Sequence, residues 1–412
     1  MNIKMRVISL CHYLQGPACA QYLADLGADV IKVEPLRGAF ERHWSGGKSF
    51  INGVSAFSLA VNRNKRSIAL DLKTQEGLEI AYRLVAGADV LVENYRPGVM
   101  DKLGLGYESV RARNPQIIYA SASGLGASGP AADRPGQDLL MQARSGLVAV
   151  TGGGEHGPSV VGAAVVDQHG GSLLAMGILG AYVRRLQTGV GTHVESSLFA
   201  AAIDLQVEAL TKYYAAPNRK TLLARGANLG SWYHDAPYGL YDIADGRIVM
   251  SMNDSKRLAD SLESEELRAM VSSDRFVERE RYAAIVAKLL RPRDFAGLSA
   301  LFDRHGIWYE RVQDYEDLRA DPQAIHNGTF MELDVKGTPA ILISHPLRYD
   351  GSLPGLRSMP LNPGADSKGI LSELGLSKEE QARLIEKGVV GAPSEDEAPD
   401  PKNRTRSGTT ND

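Results

Sequence analysis

Between Ser159 and Val183 the sequence reads SVVGAAVVDQHGGSLLAMGILGAYV, and Asp167 is its only formally charged side chain. Taking an ionised carboxylate out of water costs several kcal/mol unless something compensates it. Asp167 must therefore cap a helix, meet a cation or do chemistry. The chemistry open to an ionised carboxylate includes that of a nucleophile. Spacing alone favours the cap, because Gly170, Gly171 and an almost wholly apolar helical run follow. The two roles are compatible, since a helix N-terminus also keeps a carboxylate ionised. His169, two residues on, is a weaker acid–base candidate, because a histidine in an apolar, glycine-rich setting is more often structural.

Other residues suit a phosphate-bearing ligand. NRNKRSIALDLKTQEG, from Asn62 to Gly77, sets Arg63, Lys65, Arg66 and Lys73 around a short apolar strand. That is an ordinary solvated edge strand or a phosphate-binding rim. VENYRPGVMDKLGLGYE, from Val92 to Glu108, puts Asn94 and Tyr95 at a strand end before Pro97 and Gly98, a turn that beside the basic segment could hold a nucleotide. The triple glycine at Gly152–Gly154 reads as a flexible turn or as a place where backbone approaches a ligand.

These residues need a scaffold, and its rhythm is regular. MRVISL (Met5–Leu10) is a strand, QGPACAQYLADLG a loop and helix, and ADVIKVE (Ala28–Glu34) a second strand, which makes a βαβ unit and a parallel sheet. Thr74–Gly87 has helical spacing, ADVLVEN (Ala88–Asn94) is a strand, and PQIIYASASG opens at Pro115 as a strand that ends at a site. Such alternation over the first two hundred residues predicts a doubly wound α/β sheet, whose ligands sit at the carboxyl ends of the strands. The pattern then changes. We expect a large domain over residues 1–200, joined by a C-terminal helix at about 365–391, a linker at 201–224 and a small α+β domain over 225–330 around the strand DGRIVMSM. A second linker is expected at 331–364, and disorder over the polar tail 392–412. Ser377 and Glu380 have capping-box spacing ahead of the late helix.

Composition excludes several classes. Forty-six Lys plus Arg against forty-nine Asp plus Glu leave a net charge of −3, so no basic field argues for nucleic acid. Cys11 and Cys19 cannot frame a disulfide scaffold, which fits a reducing, cytoplasmic setting. The apolar stretch Gly170–Val183 is shorter than the roughly 20 residues needed to span a bilayer, so no membrane partner is expected. The first βα turn is HYLQGPAC rather than GxGxxG, which gives NAD no support, and no Walker lysine, HExxH or CxxC pair points to metal or nucleoside-triphosphate chemistry.

Taken together, the blocks GPACAQYLADLGADVIKVEP, NRNKRSIALDLKTQEG, VENYRPGVMDKLGLGYE, NPQIIYASASGLGASGP, QDLLMQARSGLVAVTG and GAAVVDQHGG resemble, in this order, the class III coenzyme A transferases. This CaiB/BaiF family includes formyl-CoA and carnitine CoA-transferases and the α-methylacyl-CoA racemases. The resemblance implies a Rossmann-like large domain, a small domain, and a homodimer of interlocked chains. It implies coenzyme A as substrate, with no metal and no NAD, and an acyl-CoA and a free acid as small-molecule partners. Asp167 matches the catalytic aspartate, which would form an aspartyl anhydride and then an aspartyl-CoA thioester. Contacts to CoA map onto His12, Leu70, Lys73, Asn94, Tyr95 and Lys102, and Arg37 is assigned to the phosphates.

Departures choose among the family's reactions. Racemases carry a histidine base where this chain has Gln137, and they place a glutamate near the position of Asn253 and Asp254, which are similar to the Asn-Asp of many transferases. The glycine tetrad of formyl-CoA transferases is missing from RGANLGSWYHDAPYGLY. The expected reaction is acyl-CoA:carboxylate CoA transfer, with succinyl-CoA as a donor and a short dicarboxylate-like or sulfinate-bearing acid that Arg42, Arg225, Tyr233 or His234 could meet. The alternatives are a racemase or epimerase and an inactive CoA-binding protein.

Overall fold

A computed structural model describes residues 3–154, 157–217 and 223–393; apart from its first two residues, the expected tail lies outside them. The chain divides into two compact units, one of residues 1–138, 165–201 and 322–412, the other of 139–164 and 202–321.

The first unit is built on strands β1 (Arg6–Leu10), β2 (Asp29–Glu34), β3 (Phe50–Ile51), β4 (Val54–Ser55), β5 (Lys65–Leu70), β6 (Val90–Glu93), β7 (Ile118–Ser123) and β8 (Thr192–Ser197). Six of them, β1, β2 and β5–β8, form a seven-stranded sheet with a late strand, Val390–Gly391, in the order Val390–Gly391, β5, β2, β1, β6, β7, β8, while β3 and β4 pair separately. All neighbours are parallel except the late strand, which runs antiparallel to β5. Helices α1 (Gln15–Asp25), α2 (Gln75–Ala86) and α4 (Val165–Thr188) belong to this unit, and α3 (Asp138–Arg144) starts at its residue 138 and continues in the second unit.

Alternate strand residues explain the layers. Val7, Val30, Val90, Val92, Ile118 and Ala120 pack against Cys19 and Leu23 of α1 and Leu174 and Ile178 of α4. Their neighbours Ile8, Ile31, Ile68 and Leu91 pack with Ile80 and Leu84 of α2 and with Ile370, Leu371 and Leu384. A parallel sheet covered on both faces needs such unbroken apolar runs, and that made these strands readable. The chain runs from β1 outward through β2 to β5, then returns to place β6, β7 and β8 on the other side of β1. The reversal between β1 and β6 is the topological switch point where such sheets open a crevice.

The second unit is α+β. Antiparallel strands β9 (Gly239–Ile243), β10 (Gly246–Met250) and β11 (Tyr309–Arg311) pack Tyr241, Ile248 and Met250 on Tyr282, Val286 and Phe302 of the helices Arg279–Leu290 and Phe295–His305. Its extent differs from the expected 225–330. Residues 139–164, expected in the large domain, cluster here, and residues 322–330 cluster with the large unit.

Nor is 331–364 a plain linker. Strands β12 (Phe330–Val335) and β13 (Thr338–Ile343) form a hairpin whose Val335, Ala340 and Leu342 bury Val54 and Leu59. Pro339, which has no N–H to give a ladder, disguised the second strand. Within the expected linker 201–224 runs a helix, Val207–Ala215. The late helix Lys378–Glu386 carries the reciprocal Ser377–Glu380 capping box.

Candidate active site

Asp167 is the third residue of α4 and is half-buried. It does not cap the helix. The capping carboxylate is Asp138, whose Oδ2 accepts from the N–H of Val166 at 2.8 Å and of Asp167 at 2.9 Å. Asp138 reaches this position because β7 ends in a loop closed by two glycines: a β-carbon on Gly124 would lie 2.5 Å from the Gly136 Cα, so neither position admits a side chain. The Asp167 carboxylate lies near the backbone N–H of Gln15, the first residue of α1, which favours its charged form. It thus meets the positive end of a second helix. Burial raises its pKa from 3.8 to about 7, the nearby Asp138 carboxylate adds to the rise, and the Gln15 N–H offsets part of it. Such a carboxylate interconverts between acid and anion near neutrality.

Four residues before Gln15, β1 has ended, and the connection carries His12. Its N–H donates to Asn94 Oδ1 at 2.9 Å, while Asn94 Nδ2 donates to the His12 carbonyl at 2.7 Å. This reciprocal pair ties the ends of β1 and β6 at the switch point. Tyr95 follows, its ring 4.9 Å from that of His12 and its N–H bonded at 2.9 Å to Glu93 Oε2. Burial holds the His12 imidazole pKa below its ordinary value and pushes the Tyr95 phenol up to about 12, so both rings are neutral near pH 7. Tyr13 lies beyond, at φ +61°, a left-handed conformation that a bulky residue adopts at a cost of about 1–3 kcal/mol. Its ring is 4.7 Å from Phe40.

The structure therefore brings His12, Asn94 and Tyr95 together, and the β1–α1 connection leads from them to Asp167. The remaining candidates are spread along the same carboxyl edge of the sheet. Arg37, Lys73 and Lys102 are exposed, in the connections leaving β2, β5 and β6. Leu70 is 2% exposed and its side chain is part of the core, so only its backbone could meet a ligand.

Much of the basic segment is internal. Arg63 makes a bidentate pair with Asp25, Lys65 donates to the carbonyls of Pro17 and Val61 and to Asn62 Oδ1, and Arg66 pairs with Asp29 and Glu373. Nor is β5 an edge strand, since Val390–Gly391 covers it. Of the four cations in the expected rim, only Lys73 is exposed. Arg42 is likewise held by Glu34 and the carbonyls of Pro360 and Leu361.

In the second unit Arg225 binds the carbonyls of Val150 and Gly152. The triple glycine is shaped by that contact: Gly152 and Gly154 have positive φ, and a β-carbon on Gly153 would stand 3.1 Å from the Gly226 carbonyl. Its close approach is to its own chain. Tyr233 and His234 bond Glu208 and Ser231. Asn253 ties the backbone of Ser251 and Trp308, and Asp254 caps the helix Ser255–Ser261, so both have structural duties. Gln137 is exposed, and His169 lies half-buried within α4.

Sequence reasoning overlooked Asp138 and Gln15. Gln15 carried a signal, for it precedes Gly16-Pro17 at a helix start. Asp138 carried none, because its cap is made 29 residues away. Among the described residues no group of three or more His, Cys, Asp or Glu is placed to hold a metal, and no helix is long and apolar enough to cross a membrane.

The model of CoA-transferase family III matches residues 4–366. The chain is 33% identical over 407 residues to an acyl-CoA transferase of Fusarium pseudograminearum, covering 94% of this chain and 87% of that one. It is 31% identical over 404 residues to succinyl-CoA:glutarate CoA-transferase of Homo sapiens, covering 94% and 90%. The crystal structure of a CaiB/BaiF family protein from Brucella suis superposes with a TM-score of 0.78 at 31% identity, covering 90% of this chain and 98% of that one. The chain belongs to CoA-transferase family III, the CaiB/BaiF family, and is a CoA-transferase.

Proposed function

We propose that this enzyme moves CoA from a donor acyl-CoA to a free carboxylic acid with Asp167 as the covalent acceptor. The observation that carries the reading is the Asp167 carboxylate itself, held in an apolar setting near the head of α1, one short connection from the His12–Asn94 pair. In the first half-reaction a carboxylate oxygen attacks the thioester carbonyl carbon, the C–S bond breaks, and CoA thiolate leaves an acyl-aspartyl anhydride. The thiolate then attacks the aspartyl carbon, giving aspartyl-CoA thioester and the donor's free acid. The acceptor carboxylate repeats both steps in reverse order, and Asp167 is regenerated. Splitting the exchange replaces one difficult transfer by steps of similar bond energy.

His12, Asn94 and Tyr95 would line the CoA arm. Arg37, Lys73 and Lys102 would meet its phosphates as exposed point charges on the same sheet edge, and Leu70 would contribute backbone. The relative named for succinyl-CoA and glutarate supports succinyl-CoA as donor and a short dicarboxylate as acceptor. Met176, Val183 and Leu186 leave apolar surface of α4 exposed, which supports a second copy of the chain as partner. The absence of any basic field supports a reading with only small-molecule ligands.

The test crosses a panel of acyl-CoA donors with free acids and traps the enzyme with hydroxylamine for mass spectrometry of the Asp167 peptide. We expect a hydroxamate on Asp167 after donor alone, and transfer reduced roughly a thousandfold or more in Asp167→Asn. Comparable transfer by Asp167→Asn would remove the mechanism. Deuterium entering the α-position of a 2-methylacyl-CoA without any acceptor acid would favour racemisation instead.

A further inference from the structure

His12 owes its place to a peptide group held at both ends. The peptide that joins Cys11 to His12 is planar, so fixing its two polar atoms fixes its tilt. Its N–H donates to Asn94 Oδ1 at 2.9 Å. Its oxygen, the Cys11 carbonyl, accepts from Lys32 Nζ at 2.8 Å. Cys11 is 4% exposed and lies past the last registered pairs of β1, Ser9 with Lys32 on β2 and Leu10 with Glu93 on β6. A carbonyl buried beyond its ladders needs a donor from elsewhere. Lys32 supplies it from the α1 face of β2, the face of Val30 two residues before. The Lys32 charge is met by Glu41 Oε1 at 2.7 Å, and both side chains are fully buried. Burial pushes the Glu41 carboxyl up, but the Lys32 charge and hydrogen bond outweigh it and hold the pKa below its ordinary value. The next peptide is fixed too, its oxygen taken by Asn94 Nδ2 at 2.7 Å. Tyr13 follows at φ +61° and is exposed, so its strain is held by the backbone before it rather than by core packing.

We propose that Lys32 is a positioning residue for coenzyme A: by gripping the Cys11 carbonyl it keeps the strained His12–Tyr13 turn in the conformation that sets the His12 ring against Tyr95. The proposal rests on the reading of His12, Asn94 and Tyr95 as the lining of the CoA arm. With its side chain 0% exposed, Lys32 acts through the turn and not on the ligand. Without this donor the buried carbonyl swings toward water, and Tyr13 sheds its left-handed strain. A turn so relaxed must be strained again on binding, and a strain of ordinary size lowers the competent fraction roughly 5- to 150-fold. Saturating donor restores the turn, so the loss falls on affinity rather than on turnover.

Lys32→Met alone leaves Glu41 buried and unpaired. The test therefore joins it to Glu41→Leu and compares this double variant with wild type, Glu41→Gln and His12→Ala. Thermal melting, CoA binding by calorimetry, and kcat and KM for an acyl-CoA donor are measured on each. Replacing both members of a buried ion pair by apolar residues is often neutral for stability, so we expect the double variant to melt near wild type. Its Kd for CoA and its donor KM should rise roughly 5- to 150-fold, with kcat within about threefold. Glu41→Gln keeps the Lys32 amine and an oxygen to receive it, and should melt lower yet bind CoA within about twofold of wild type. Affinity then follows the Lys32 donor and not stability. CoA affinity that tracks the melting temperature across the set, or a double variant that binds like wild type, overturns the proposal. If the double variant does not fold, the same comparison is read on Lys32→Met with Glu41→Gln, which also leaves no buried charge. Normal CoA binding by His12→Ala would defeat the reading of the CoA arm itself. Weak binding by His12→Ala beside a normal double variant would defeat this inference alone.

Discussion

Asp167 and Asp138 sit in adjacent turns of the same corner with different duties. Asp138 accepts with Oδ2 from the N–H groups of Val166 and Asp167, while the Asp167 carboxylate lies near the Gln15 N–H. Burial, then the Asp138 charge, raises Asp167 to about 7. A nucleophile must be ionised, so kcat/KM of the free enzyme should climb with pH through a midpoint near 7. Asp138→Asn removes one of the two raising causes, and its amide oxygen still accepts from the α4 N–H groups. The midpoint should therefore move to lower pH in this variant, read from the pH profile of kcat/KM. A midpoint that stays or rises would show that the neighbouring charge is not what tunes Asp167. At this scale the sequence was half legible. A solitary carboxylate in an apolar run announced itself, but its apparent capping role belonged to a residue far upstream, which local spacing cannot reveal.

Helix packing decides whether Gln15 and Asp167 can meet. In α4, Gly171 faces α1 so closely that a β-carbon would stand 2.9 Å from the Gln15 carbonyl and 3.1 Å from the Ala18 Cβ, whereas Gly180 has nothing within 4 Å. Glycine in a helix interior costs about 1 kcal/mol relative to alanine, so the two positions should answer alanine with opposite signs. Gly180→Ala should raise the melting temperature and leave transfer unchanged. Gly171→Ala should lose about 1–3 kcal/mol by overpacking and slow transfer further by shifting the α1 N-terminus. Equal stabilisation of both variants would show that α1 and α4 do not need this approach. The strands β1, β2, β6 and β7 were readable because burial on both faces demands continuous apolar residues. The glycine contacts and the Pro339 hairpin were not, because each is defined by a partner distant in sequence.

Across the large unit, charge lies inside the fold to a degree that composition conceals. Lys32–Glu41, Glu34–Arg42 and Asp25–Arg63 are ion pairs with side chains at most 6% exposed. Arg63, which looked like part of a ligand rim, is committed there, and removing one member of such a pair typically costs about 3–5 kcal/mol. Lys65 differs, for among the described residues its amine donates to Pro17 O, Val61 O and Asn62 Oδ1 and to no carboxylate. Burial lowers its pKa from 10.5 to about 7, the Lys32 charge adding to the effect. Above pH 7 the folded chain has released a proton that the unfolded chain still holds, so stability should rise with pH, by at most about 1.4 kcal/mol per unit. The trend is cleanest up to about pH 8.5. Beyond it the buried thiols of Cys11 and Cys19, whose pKa values burial raises, keep protons that the unfolded chain loses, which opposes the trend. Lys65→Met should be less stable at pH 7 by about 1–3 kcal/mol, because it leaves buried acceptors unpaired. Its own dependence should lack the Lys65 contribution, so the gap from wild type widens between pH 7 and 8.5. Urea unfolding at closely spaced pH values measures that gap, and parallel curves would mean that Lys65 is charged in the folded protein throughout.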